Sequence, residues 1–380
     1  MRHLYVHVPF CLKKCPYCAF YSEPISDALA GRYISALVRE IELYAEMLFP
    51  ETVYFGGGTP SLLEEIHLRE IGGLFERLGW TGIREWTVEV NPATLTKTKA
   101  RLLRDLGVNR VSLGVQSLDD EVLVRLGRVH SAEEAVRSFE LLREAGFENI
   151  NVDLIFGVPG QTLSGWEKVL VRVLALRSEH LSAYELTYEE DTPFFLELAR
   201  AGTKPDEELA CDMYEMLVEA AGRHGLVQYE VSNFARGFGG SPGWDPVYAC
   251  WHNVNYWRGG DYVGVGPGAA SFVGGVYWVN TADVESYCAA SERGSRAIMS
   301  AERLSPLARA GQTAAFGLRM TRGWLFTEFR LVTGFDLMEE WGREIEGAVR
   351  DGLAVIEGER FRLTPKGLRF ADRVGESFLR

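Results

Sequence analysis

The chain has 380 residues, of which 47% are hydrophobic and 24% charged, and this indicates a globular protein with a sizeable core rather than a disordered one. Its net charge of −13 disfavours broad contact with nucleic-acid phosphates, so no nucleic-acid partner is expected. No apolar run reaches the roughly 18 residues of a membrane span, and the chain starts without the layout of a signal peptide. We therefore expect a cytoplasmic protein with no integral membrane segment.

Short apolar strands alternate with amphipathic helices along the first half of the chain. The strands are predicted at Leu4–Val8, Thr52–Phe55, Glu85–Val90, Arg110–Val115, Ile150–Ile155 and Leu181–Thr187. Helical crossovers between such strands imply parallel pairing. Six units predict an α/β fold, a partial TIM-like (β/α)6 barrel over residues 1–232, although the sequence separates a barrel from a doubly wound sheet only weakly. Polar residues at the strand ends favour the barrel.

Several of the intervening helices carry recognisable start signals. The pattern S/T-x-x-D/E predicts a capping box at Ser61 with Glu64, at Ser117 with Asp120 and at Ser131 with Glu134. The first crossover helix is predicted to run from about Asp27 to Leu48. These helices fit the length that a parallel crossover needs.

The second half of the chain is predicted to hold two further regions. Residues 233–300, rich in Gly, Trp and Tyr, are predicted to form an irregular connector that covers a binding site. Residues 301–380 read as a small α+β winged-helix-like domain, with a hairpin of Leu353–Glu357 and Arg360–Leu363 and a recognition-type helix at Asp336–Asp351. That helix is acidic, which disfavours DNA binding and favours packing or partner docking.

Three of the six cysteines crowd together directly after the first predicted strand. Cys11, Cys15 and Cys18 form a C-x3-C-x2-C motif, whereas the other three cysteines are scattered. A reduced cytosol and this spacing argue against a disulfide framework. Three thiolates fit a [4Fe-4S] cluster that leaves one iron free for a small-molecule ligand. The competing interpretation is a Cys3His zinc site that uses His3 or His7.

Other polar residues gather at the predicted strand ends. Gly56–Thr59 could bring the backbone close to a ligand, although glycine-rich turns after strands are common. Glu89 could accept hydrogen bonds from an amine or a ribose, or be an ordinary exposed carboxylate. Gln116 and Asp153 lie in apolar strands, so each belongs to an internal network or faces the barrel mouth. Arg128 could neutralise a carboxylate or simply be a solvated helix terminus.

Together these motifs resemble the radical S-adenosylmethionine enzymes. Four further segments narrow the resemblance to the oxygen-independent coproporphyrinogen III oxidases and the related heme chaperones of the HemW type, over nearly the whole chain. They are Val88–Pro92, Ser112–Ser117, Leu126–His130 and Asp153–Thr162.

The resemblance implies a role for each matching residue. Cys11, Cys15 and Cys18 would hold the [4Fe-4S] cluster, and S-adenosylmethionine would chelate its fourth iron and be cleaved to a 5′-deoxyadenosyl radical. Ile155 would add backbone contacts to that cofactor. The side chains or backbone implied to bind it are Tyr5, Gly57, Gly58, Thr59, Glu89, Gln116, Arg128 and Asp153. No catalytic residue is assigned, because the radical chemistry belongs to the cofactor.

Three features separate the chaperones from the oxidases. Phe20 stands where the oxidases generally carry a fourth cysteine, and only four residues precede Tyr5, where the oxidases tend to have an extension. The segment His252–Trp257 resembles an HNxxYW motif of the chaperones, which makes His252 a candidate ligand for heme b. The alternative is that His252 is satisfied internally where the barrel meets the C-terminal domain.

The predicted function is therefore a heme chaperone that passes heme to acceptor proteins, and the resemblance implies membrane respiratory enzymes as those acceptors. The alternatives are the oxidative decarboxylation of coproporphyrinogen III and radical chemistry on another tetrapyrrole. The resemblance also implies an electron donor such as flavodoxin or ferredoxin, and peripheral membrane association through partners.

Overall fold

The computed structural model describes residues 1–190, 192–201, 205–237 and 246–380. Its strands are β1 His3–Val8, β2 Thr52–Gly57, β3 Glu85–Val90, β4 Arg110–Gln116, β5 Ile150–Phe156, β6 His180–Glu185, β7 Val227–Gln228, β8 Asn233–Ala235, β9 Val263–Val265, β10 Ala270–Val273, β11 Val276–Asn280, β12 Ile298–Arg303, β13 Trp324–Leu325, β14 Ala354–Glu357 and β15 Arg360–Leu363.

The helices follow the same chain order. They are α1 Asp27–Leu43, α2 Glu65–Arg77, α3 Lys97–Asp105, α4 Asp120–Arg125, α5 Ala132–Glu144, α6 Leu163–Ala175, α7 Pro193–Ala201, α8 Glu207–Arg223, α9 Trp251–Trp257, α10 Val284–Glu292, α11 Pro306–Gly317, α12 Phe326–Thr333, α13 Leu337–Arg350, α14 Pro365–Leu368 and α15 Ala371–Glu376. Within the described ranges, none of them is both long and apolar enough to span a membrane.

The six predicted parallel strands form one continuous sheet in sequential order. The order is β7-β8-β6-β5-β4-β3-β2-β1-β9, and every pair from β1 to β6 is parallel. A doubly wound sheet would reverse its strand order in the middle, and this sheet does not. Consistent right-handed crossovers then place the helices on one face and leave the other face to enclose a lumen. The partial barrel is confirmed.

The two faces of the barrel strands have opposite chemistry. On β3, Trp86, Val88 and Val90 belong to the large apolar core beneath the helices. The residues between them point the other way, because side chains alternate along a strand. Glu85 and Glu89 lie on this second face, so the lumen carries one carboxylate near each end of β3.

Residues 233–300 carry more regular structure than the sequence predicts. β8 pairs with β6 and β9 pairs in parallel with β1, so this region extends the barrel sheet at both edges. β10, β11 and β12 form a separate antiparallel sheet. Elements of three to six residues are too short to leave a periodic pattern. Residues 238–245 of the predicted connector lie outside the described part of the chain.

The C-terminal region forms the small domain that the sequence predicts. Helices α11 to α13 precede the β14–β15 hairpin, and the sheet order is β13-β15-β14. A core of its own, which includes Trp324, Trp341, Phe361 and Phe378, holds it together. The predicted recognition-type helix is α13, which begins after the capping residue Asp336.

One of the three predicted capping boxes is confirmed and two are wrong. Ser131 and Glu134 bond reciprocally at the start of α5. Ser61 instead lies in a short 3-10 turn and bonds Thr94, and α2 begins only at Glu65. At α4 the capping side chain is Asp119, two residues beyond Ser117. The first crossover helix also ends earlier than predicted, at Leu43.

Candidate functional site

The cysteine motif lies in the loop that follows β1, at the carboxyl-terminal mouth of the barrel. All three thiols are partly exposed. The Cys11 Sγ lies 3.6 Å from the Thr59 Oγ1, and the Cys15 Sγ lies 3.6 Å from the Arg128 Nη1. The loop therefore places the thiols beside the turn that follows β2 and the connection between α4 and α5.

This donor set fits the cluster better than it fits zinc. Each thiolate of a [4Fe-4S] cluster binds a different iron, so the three sulfurs need not converge on one point. Zinc needs four ligands around a single ion, and in the described residues no three His, Cys, Asp or Glu side chains gather in that way. The histidines of the zinc alternative are also engaged elsewhere. His3 bonds Thr52, and His7 bonds Tyr5 and the carbonyl of Tyr21.

The glycine-rich turn after β2 packs tightly against the cysteine loop. Gly57 has a φ of +101°, and a Cβ on Gly58 would lie 2.6 Å from the carbonyl oxygen of Phe10. The amides of Gly58 and Thr59 donate to the carbonyls of Val8 and Phe10. These glycines therefore let two loops meet, in addition to any approach to a ligand.

Glu89 and Asp153 face the same lumen with different numbers of partners. Ser112 and Asn151 each donate to Asp153 at 2.8 Å. Glu89 accepts from the Tyr54 hydroxyl at 2.8 Å. Burial, and then the charge of Asp153, raise the pKa of Glu89 to about 7. Burial raises the pKa of Asp153 as well, so both carboxylates would gain from a cationic ligand.

Gln116 ends β4 in a strained conformation. Its φ is +63°, which is uncommon for a residue other than glycine, and the β4–β5 register shifts between Leu113 and Gln116. Such irregularities are frequent at functional sites because they redirect side chains. Nearby, the Arg128 Nη2 donates to the Gly114 carbonyl at 3.0 Å. Ile155 lies in a small apolar cluster that Tyr17 of the cysteine loop contacts.

His252 lies at the opposite end of the barrel, on α9. It is 1% exposed. Its Nδ1 shares a 2.8 Å hydrogen bond with the Thr52 hydroxyl, and its Nε2 shares one of 2.8 Å with the Tyr256 hydroxyl. Burial lowers the pKa of His252 to about 3, so the ring is neutral. This geometry is that of the competing interpretation, an internally satisfied histidine, and ligation of heme by His252 stays a prediction.

Glu85 is a site residue that the sequence reasoning missed. Its carboxylate accepts from the backbone amides of Trp251 at 2.9 Å and His252 at 3.0 Å, and the Cys250 thiol lies 3.6 Å away. Cys250 provides no side-chain cap for α9, so a strand residue caps this helix instead. A carboxylate at the first position of a predicted strand was the signal available in the sequence.

One small cavity joins the two ends of the lumen. Its volume is about 220 Å³, and it brings predicted cofactor contacts and the α9 segment onto one surface. Its lining residues are Tyr5, Phe20, Tyr54, Gly57, Glu89, His252, Asn253 and Tyr256. The prediction that His252 lies between barrel and C-terminal domain therefore needs refinement, because its ring faces the barrel interior.

Two family models match the chain. Residues 5–173 match the Radical SAM superfamily, and residues 304–370 match the HemN C-terminal domain. The first match spans the cysteine motif and strands β1 to β5, and the second spans most of the small C-terminal domain.

Curated relatives resemble the chain over most of its length. The heme chaperone HemW of Lactococcus lactis is 33% identical, over 99% of this chain and 96% of that protein. The heme chaperone HemW of Bacillus subtilis is 34% identical, over 91% and 89%. The Escherichia coli heme chaperone HemW is 37% identical, over 70% and 68%.

A solved structure shares the whole architecture. The radical SAM coproporphyrinogen III oxidase (HemN) of Escherichia coli superposes with a TM-score of 0.83, over 99% of this chain and 90% of that one. The two are 22% identical, so the likeness concerns the fold alone.

Proposed function

The chain belongs to the family of the HemW heme chaperones within the radical SAM superfamily, and from that membership we propose that it binds heme and passes it to acceptor proteins. The observation that carries the proposal is 33% identity across 99% of this chain and 96% of a curated heme chaperone. The likeness to the oxidase rests on fold alone, at 22% identity.

The lumen has little room for a porphyrin in this structure. Its cavity of about 220 Å³ is smaller than the roughly 300–1,000 Å³ of pockets that enclose drug-sized ligands. His252 and Tyr256 occupy its floor, and Phe20 lines it where the oxidases generally carry a cysteine. A tetrapyrrole and a second cofactor do not fit there together without movement of α9.

Cys11, Cys15 and Cys18 are proposed to hold a [4Fe-4S] cluster. Arg128 would stabilise the thiolate of Cys15, since its guanidinium lies 3.6 Å from that sulfur. When bound, the cluster supplies an electron and an open iron position for the amine and carboxylate of S-adenosylmethionine.

The residues around the mouth are proposed to bind and orient S-adenosylmethionine. Glu89 would accept from a cationic or hydroxyl group of the cofactor, and Gln116 would contact it from its strained backbone position. The remaining proposed contacts are those of Tyr5, Gly57, Gly58, Thr59, Arg128, Asp153 and Ile155.

His252 is the candidate iron ligand for heme b, and its hydrogen bonds define what would have to change for it to bind iron. The imidazole is neutral, which is the form that binds iron. Its Nε2 would have to exchange the Tyr256 hydroxyl for iron, and a porphyrin would have to enter beside α9. Heme-accepting proteins, an electron donor such as flavodoxin or ferredoxin, a cytoplasmic location and membrane association through partners complete the proposal.

An anaerobic comparison of binding with turnover tests this function. The cluster-loaded protein is titrated with heme, and separate samples receive coproporphyrinogen III, S-adenosylmethionine and a reductant. We expect saturable heme binding and no vinyl product. Turnover of coproporphyrinogen III without retained heme would establish the oxidase instead. A His252→Ala variant tests the ligand assignment through the heme absorption spectrum, with Gln228→Ala as a control elsewhere in the chain.

A further inference from the structure

A second and larger cavity lies outside the barrel, between the carboxyl-terminal end of α1 and the β10–β12 sheet. Its volume is about 560 Å³, which falls within the roughly 300–1,000 Å³ of small-molecule pockets. We call it the α1 cleft. Its lining residues are Met1, Tyr44, Met47, Val273, Val276, Trp278, Arg296, Ile298 and Ala301.

The lining of the α1 cleft combines aromatic side chains with a thioether and a cation. Tyr44 is 3% exposed and lies at the floor, together with the indole of Trp278. The guanidinium of Arg296 lies 5.2 Å from the centroid of the Tyr44 ring. Met47, which is 52% exposed, presents a thioether. Aromatic rings, a thioether sulfur and a cation are the groups that would suit a large planar anion with a metal centre.

From these contacts we infer that the α1 cleft is a porphyrin site separate from His252. The inference rests on the proposed function, which makes heme a ligand of this chain. The partly exposed indole of Trp278 would lie against the porphyrin, with the buried ring of Tyr44 behind it, and Arg296 would pair with a propionate. The Met47 thioether is a potential axial ligand of the iron, as methionine is in cytochromes.

Charge and position both favour an anionic porphyrin here. The chain carries a net charge of −13, which repels anions in general, so the attraction for a propionate comes from Arg296 in the lining of the cleft alone. The cleft also lies at the α9 end of the barrel. Met1 lines it, and two residues later the ring of His3 lies 6.4 Å from that of His252.

Matched surface variants test the inference. Ile298→Glu places a carboxylate in the cleft, and Ile356→Glu places one at a residue of similar exposure on β14, 41% against 40%. Met47→Leu removes the thioether, and Met299→Leu is its control on β12 outside the lining. Each protein is titrated with heme and with metal-free protoporphyrin, and binding is followed by absorbance and by Trp fluorescence quenching.

We expect Ile298→Glu and Arg296→Glu to weaken binding of both porphyrins by about tenfold or more, because each opposes the propionates with charge. Met47→Leu should weaken heme alone, and both controls should bind like the wild type. Wild-type affinity in Ile298→Glu, together with loss of heme in His252→Ala, would overturn the inference and leave the proposed function standing. Failure of the wild type to bind heme would overturn both.

Discussion

The two ends of the barrel differ in how completely their buried polar groups are hydrogen-bonded. At the closed end, Glu85 caps α9, and both ring nitrogens of His252 are hydrogen-bonded. At the open end, the thiols of the cysteine loop are partly exposed. Burial raises the pKa of Glu89 there, and a bound cation would lower that pKa again.

The difference separates polar groups that are fully hydrogen-bonded within the chain from polar groups that a ligand could still bind. A polar group that is buried without a partner is costly, so the complete pairing of Glu85 and His252 stabilises the ligand-free fold, and His252 would have to give up its Tyr256 partner to bind heme. A group that is left partly paired at a mouth indicates a binding role. Substitutions at the closed end should therefore lower stability, whereas substitutions at the open end should lower ligand binding with little effect on stability.

The largest expected effect is on cluster loading at the open end. Cys15→Ala should abolish stable [4Fe-4S] incorporation, because two thiolates remain where three are needed. Its free energy of unfolding without the cluster should stay within about 0.5 kcal/mol of wild type. Iron and sulfide content with urea unfolding measure both, and Cys211→Ala, a partly exposed cysteine on α8, is the control. Normal loading in Cys15→Ala would contradict the assignment.

At the closed end, Glu85→Gln should destabilise the protein by roughly 3 kcal/mol, since it replaces a buried carboxylate acceptor of two α9 amides and a charge partner of Arg110. Urea unfolding of the cluster-free protein measures the loss. Glu51→Gln, which breaks an exposed pair with Arg2, should change stability by less than about 1 kcal/mol. Equal stability of the two variants would remove the distinction between the ends.

The titration of Glu89 sharpens the comparison. Its pKa is raised from 4.5 to about 7, so the folded, ligand-free protein holds a proton that the unfolded chain releases. The stability of the ligand-free protein should therefore fall as pH rises from 4.5 to about 7, and the affinity for S-adenosylmethionine should rise over the same interval. Glu89→Gln should reduce both dependences. It should not abolish the fall in stability, because burial also raises the pKa values of Asp153, Glu40 and Glu230. Equilibrium dialysis and urea unfolding across pH 5 to 8 follow both quantities, and an unchanged pH dependence in Glu89→Gln would assign them to other groups.

The smallest effect concerns a helix outside both ends. Ser131→Ala should cost about 1 kcal/mol, because it removes the capping box of α5. Heme binding and cluster loading should not change. Thermal unfolding measures the cost, and Ser300→Ala on the exposed strand β12 is the control. A loss of heme binding in Ser131→Ala would show that general stability, rather than the site, governs binding.

The sequence predicts the open end well because its elements are long and regular. Six strands of six or seven residues alternate with helices, and the cysteine motif directly follows the first strand. The start of α5 is also predicted, since its capping box is local to residues 131–134. At Ser61 the side chain bonds the Thr94 hydroxyl, and near Ser117 the side chain of Asp119 caps α4, so the simple pattern is wrong at both places.

The closed end is not predictable in the same way because it depends on contacts between distant residues. Glu85 and His252 are 167 residues apart in the chain. β8, β9 and α9 are too short to show a period. Pairing with the barrel edges defines β8 and β9, and the contact with Glu85 caps α9. The 560 Å³ cleft likewise forms from α1 and a sheet that lies more than two hundred residues later.

The most direct test of the central claim is a heme transfer measurement. Cluster-loaded protein that carries one equivalent of heme is mixed anaerobically with a heme-free acceptor, and absorbance and activity of the acceptor are followed. A heme chaperone should transfer heme with a rate that depends on acceptor concentration, and the porphyrin should remain chemically unchanged. Retention of heme, with conversion of coproporphyrinogen III by the same sample, would contradict the account.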